Sequence, residues 1–136
     1  MKQLFYILGT FCVTLFLFSS CEDIAKPDDS LDKIVFPESM VSYNRHVQPL
    51  FNVACATSDC HDTKTKADDL DLSYYSAAIN SKFGVIIPHD TSLSRLVWTI
   101  EGRPGSPRMP PQRSLNANHI RGLKQWILEG ATDTIP

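Results

Sequence analysis

The chain has no cluster of basic residues, no internal repeat and no low-complexity tract. Its 13 Lys and Arg against 15 Asp and Glu leave a formal charge of −2 with no electrostatic footprint for nucleic acid. Strand-like alternation is almost absent, which points away from a β architecture. No constellation of acid, base and nucleophile stands out. Cysteine is scarce: Cys12, Cys21, Cys55 and Cys60 are the whole set.

What is present begins at the N-terminus. Lys2 supplies a positive charge, residues 4–18 are almost wholly apolar, and Ser19, Ser20 and Cys21 follow. The run is too short to span a bilayer and ends in small residues, as secretory signals do. Ser-Ser-Cys after an apolar run looks like a bacterial lipobox, with cleavage before Cys21 and a diacylglycerol on its sulfur. The alternative is an ordinary signal peptide with Cys21 left as a free thiol. Residues 1–20 are thus read as a lipoprotein signal, and 21–40 as a lipidated cysteine with a polar tether. Residues 41–136 are read as one small domain. Losing Lys2 takes the net charge from −2 to −3. Glu22, Asp23, Asp28 and Asp29 directly after the lipid site resemble signals that send some lipoproteins to the outer membrane or cell surface. The expectation is an exported protein, lipid-anchored at the periplasmic face or outer membrane of a Gram-negative bacterium.

With Cys12 in the signal and Cys21 at the lipid, Cys55 and Cys60 remain for chemistry. They stand in Cys55-Ala56-Thr57-Ser58-Asp59-Cys60-His61. Two thiols followed at once by an imidazole is the arrangement that fastens a c-type haem, each thiol adding across one vinyl group. The usual motif has two residues between the cysteines, and here there are four. The extra pair is expected to bulge outward, since Cys60 and His61 keep their adjacency. His61 is then the proximal iron ligand. Met109 is the best distal candidate, because Pro107, Pro110 and Pro111 restrict its backbone and a thioether sulfur favours reduced iron. His46 is its strongest rival. His89 and His119 read as surface or helix-end histidines. Tyr43, Phe51, Tyr74, Tyr75, Phe83, Trp98 and Trp126 could wall a haem pocket or form ordinary core. Two other readings stay open: a zinc site using Cys55, Cys60 and His61, or a small disulfide loop between the two cysteines.

The local signals predict helices throughout. Ser42 caps a first helix, and Pro49 then either starts a second turn or kinks the first. Ser73 caps a helix over 74–82 stopped by Gly84. Asp90 or Ser92 caps a third, ended by Gly102, and Asn116 caps the last, which runs to about Glu129. Ile120, Leu123, Trp126 and Ile127 form its buried stripe. The four prolines between Arg103 and Ser114 demand a pre-shaped loop. The fold class is all-α: a small domain of three to five short helices around one covalently bound haem.

The ordered set of features resembles the small periplasmic c-type cytochrome domains of bacteria, of planctomycete type. Those domains enter the haem motif through a segment like Val47-Gln48-Pro49-Leu50-Phe51 and tolerate four residues between the cysteines. They continue with segments like Leu70-Asp71-Leu72-Ser73, Ile87-Pro88 and Ser92-Leu93. They present Met-Pro-Pro, here Met109-Pro110-Pro111, and close on a helix like 120–131. His89 stands where such domains more often have glycine. The resemblance implies one haem c attached at Cys55 and Cys60, with His61 and Met109 as axial ligands. It implies an electron-transfer protein, not an enzyme, working with a redox protein as donor or acceptor. A haem sensor or peroxidase-like enzyme with an open distal site is the alternative within the same cofactor chemistry.

Overall fold

The computed structural model describes residues 30–134; the expected signal, Cys21 and residues 22–29 of the expected tether lie outside the described residues. Within them the protein is helical, without strands. A π-helical turn, Tyr43–Val47, runs into α1, Gln48–Ala54; α2 is Tyr75–Ile79, α3 is Arg95–Glu101 and α4 is Ala117–Leu128. No helix among the described residues is long and apolar enough to cross a membrane.

Each helix has a local cause. Ser42 is extended (φ −80°, ψ 129°), and its hydroxyl accepts from Arg45 N at 3.3 Å. Pro49 sits in the first turn of α1, where its missing N–H is not needed. α3 starts at Ser94, two to four residues later than predicted. Asp90 instead closes the preceding turn by accepting from Ser92 N and Leu93 N, and buried Ser94 donates its hydroxyl to Asp90 O at 2.6 Å. Gly102 ends α3 in the left-handed conformation (φ 65°). α2 is shorter than predicted and its N-cap is Tyr74, not Ser73. Ser73 N is already committed to the Asp71 carboxylate. Asn116 and His119 form a reciprocal cap on α4: His119 N donates to Asn116 Oδ1 at 3.0 Å, and Asn116 N to His119 Nδ1 at 3.4 Å.

The core gathers Val47, Leu50 and Phe51 of the first helical segment, Val97 and Ile100 of α3, and Leu123, Trp126 and Ile127 of α4. Tyr43 lies at its centre, with ring centroids 5.0 Å from Tyr75 and 5.5 Å from Trp126. Ile120 is only partly buried. Glu101 ties α3 to α4, accepting from Lys124 at 2.7 Å and from Arg103 at 2.8 Å. These cations hold its carboxyl below the usual range, against the opposing effect of burial.

Residues 31–41 are not a tether. Leu31, Phe36 and Val41 belong to the core, and the Asn118 amide brackets Phe36, accepting from its N–H at 2.8 Å and donating to its carbonyl at 3.0 Å. His119 is likewise not a surface residue: it is fully buried, with Nε2 donating to Ile34 O at 2.9 Å. One tautomer, protonated on Nε2, satisfies both its cap and this bond. Glu129 completes the seam by accepting from Met40 N and Val41 N at 2.7 and 2.8 Å. Burial alone pushes that carboxyl's pKa up, but the bonds from Gln125, Val41 and Met40 outweigh it and leave it lowered.

Phe36 can lie this close to α4 because residue 122 has no side chain. A β-carbon at Gly122 falls 2.0 Å from Phe36 Cγ and 2.3 Å from its Cβ, so the whole ring must move. Gly122→Ala is expected to lower the unfolding free energy by about 1–3 kcal/mol. The measurement is the urea midpoint at unchanged slope. An unaltered midpoint would show that this seam carries no stability.

Candidate functional site

α1 delivers Cys55 at its C-terminal cap, where Cys55 N donates to Phe51 O at 2.8 Å. The chain then turns back on itself. Cys60 N bonds Thr57 O at 3.1 Å, and His61 N bonds Cys55 O at 3.1 Å. Ser58 and Asp59 are exposed, and Asp59 takes a left-handed backbone (φ 66°) that Asp tolerates in turns. The two extra residues therefore sit in a tight outward turn, with Cys55 and His61 closed on each other by a backbone hydrogen bond. Ala67 N to Cys60 O at 3.0 Å and Leu72 N to His61 O at 2.9 Å anchor the far side.

His61 is oriented by the segment it holds. Its Nδ1–H donates to Ala67 O at 3.0 Å. That fixes the tautomer and leaves the Nε2 lone pair available to a metal, the usual outer support of a ligating imidazole. Met109 lines the same cleft as His61, from the proline-rich loop. Met109 N donates to Thr99 O at 3.0 Å, fastening the proline-rich loop to α3.

Cys55, Cys60, His61 and Met109 all line one cleft of about 250 Å³. Leu70, Leu72, Leu96 and Ile100 make most of its wall apolar. Residues 95, 96, 99 and 100 reach it from a single face of α3. Lys82 and Arg95 are the cations of the lining, and Lys82 is paired with Asp69. An apolar cleft holding two thiols, an imidazole and a thioether matches the chemistry of a haem c: two thioether bonds, two axial donors and a flat hydrocarbon body.

The rivals fare differently. His46 does not line the cleft. Its Nδ1 accepts from Ser42 N at 3.0 Å and its ring lies 5.9 Å from that of Phe36, on the opposite seam. His89 clamps the end of α4, its Nδ1 donating to Leu128 O at 3.0 Å and its N to Ile127 O at 2.8 Å. The backbone there is left-handed (φ 65°), the conformation glycine favours. Met40 is exposed and remote from the cleft lining. Cys55 and Cys60 are free thiols, not a disulfide. Burial, and secondarily Cys60, pushes the Cys55 thiol up to about 12. Among the described residues no three of His, Cys, Asp and Glu assemble as a metal-ion site. Of the seven aromatics that could wall the pocket, Phe83 alone lines it, while Tyr43, Phe51, Tyr75 and Trp126 are bound up in the core.

Residues 58–113 match the family model described as planctomycete cytochrome C. The match covers somewhat under half of the chain and includes Cys60, His61 and Met109; Cys55 lies just before it. No curated protein and no solved structure matches the chain.

Proposed function

We propose that the chain is a monohaem c-type cytochrome carrying single electrons, a reading supported by the match of residues 58–113 to the planctomycete cytochrome C family model. The observation that carries the reading is the convergence of Cys55, Cys60, His61 and Met109 on one apolar cleft. Cys55 and Cys60 hold the cofactor by thioether bonds, and His61 Nε2 and Met109 Sδ are the axial donors. When bound, haem c supplies the one-electron iron couple that no side chain here provides. The bond to Ala67 keeps the imidazole oriented, and the bond to Thr99 holds the methionine loop against α3. Apolar walls would exclude water, and Arg95 supplies a positive charge to the lining that could pair with a cofactor carboxylate.

The N-terminus adds an anchor. A lipid on Cys21 leaves residues 22–30 to connect it to the packed segment, a reach of at most about 30 Å. The domain is thereby held close to an exported membrane face, the periplasmic side or the outer membrane, where it meets a redox protein as donor or acceptor. We read it as a carrier, not an enzyme.

The test is expression in a host competent in cytochrome c maturation. The expected product is coloured, shows the sharp α-band of reduced six-coordinate haem c, and keeps its haem through acid-acetone extraction. A colourless, fully matured protein overturns the reading.

A further inference from the structure

We propose that Phe83 is a positioning residue of the cleft, whose ring packs over the bound cofactor and shields it from water; this rests on the haem reading above. Three independent observations meet at this residue. Its ring lines the cleft. It is 70 % exposed in the protein alone, the most exposed of the large apolar side chains among the described residues. Its backbone is left-handed, φ 69° and ψ 22°, in a turn where Gly84 follows at φ 63°.

A bulky aromatic with positive φ is a costly choice, since the β-carbon crowds its own backbone there. Glycine would relieve it. An exposed ring recovers nothing from the rest of the protein, and Phe83 forms no aromatic pair among the described residues. Strain of this kind persists where a functional contact compensates it. The cleft that Phe83 lines is a surface that can supply one. Lys82, its neighbour, also pairs with Asp69 on the segment that follows His61, and both line the same cleft. This exposed ion pair links the Phe83 turn to that segment, though it contributes little stability.

Exposure of the haem is one of the terms that set its potential. The experiment compares wild type with Phe83→Gly, which removes the ring and relieves the backbone, and with Phe83→Leu, which keeps apolar bulk. Covalent haem is first verified in wild type; its absence overturns both this proposal and the reading beneath it. With haem present, Phe83→Gly is expected to retain full haem loading. It is expected to raise the solvent-perturbation response of the Soret band about two-fold and to lower the reduction potential. Phe83→Leu should recover most of both. A Gly variant with wild-type perturbation response and potential overturns the assignment, as does an effect confined to the rate of reaction with a redox partner, which would place the ring in a docking contact.

Discussion

Serine at both Cys55 and Cys60 is expected to abolish covalent haem, and serine at either one alone to leave a single thioether. The double variant should release its haem completely into acid-acetone, whereas wild type releases none. Each single variant should retain haem but give a pyridine haemochrome band moved to longer wavelength, because one vinyl group stays conjugated with the ring. The geometry makes the two positions unequal. Cys60 precedes His61 in a loop closed by four backbone hydrogen bonds, while Cys55 caps the C-terminus of the packed helix α1. Cys60 adjoins His61 in the more constrained loop, so Cys60→Ser should reduce haem yield more than Cys55→Ser. Equal haem content and an unshifted band in both single variants would show that the long spacing between the cysteines does not serve as an attachment site. His61→Ala separates attachment from ligation: the thioethers survive, but the reduced spectrum loses its six-coordinate form.

The part of this site that could be read from the sequence is the part built from near neighbours. Cys55, Cys60 and His61 lie within seven residues, and the turn that joins them is made from their own backbone. Gly102 and the Asn116 cap announce helix ends through local sterics and local hydrogen bonds, so the end of α3 and the start of α4 were legible, while the start of α3 was not. Met109 was legible for a different reason: prolines on both sides mark a backbone held for a purpose. What stayed hidden depends on contacts between distant residues. Nothing in the composition of residues 31–41 distinguishes a tether from a packed segment; Phe36 is drawn in because Gly122, some eighty residues later, leaves room for it. His119 looks like a helix-end histidine and is one, yet it is buried because Ile34 supplies a carbonyl for its second nitrogen. The aromatics could not be sorted by type, since Tyr43 and Phe83 carry similar rings and only packing sends one to the core and the other to the cleft. The left-handed backbone at Phe83 was invisible for the same reason that it is informative: a phenylalanine gives no local cause for it.

Met109→Ala is expected to lower the reduction potential by on the order of a tenth of a volt, within the ~0.8 V that axial ligands span in haem proteins. The sign follows from donor chemistry. A thioether is a soft, neutral ligand that stabilises the ferrous state more than the ferric, and water in its place removes that preference. The same substitution opens the distal face, so the reduced variant should bind carbon monoxide rapidly and stoichiometrically while reduced wild type does not. Structural damage makes a different pattern. Met109 N, not its side chain, bonds Thr99, and Pro110 is buried beside it, so the loop retains its anchor when the sulfur is lost. Met109→Leu, of similar volume, should therefore keep the wild-type urea midpoint yet show the same low potential and carbon monoxide binding as the alanine variant. His46→Ala is the companion control. His46 lies on the Phe36 seam and not in the cleft, so its loss should leave potential and spectrum unchanged while lowering stability. Rapid carbon monoxide binding by wild type would instead identify an open distal site and a haem sensor or enzyme. An unchanged potential in both methionine variants would move the sixth ligand to a residue other than Met109.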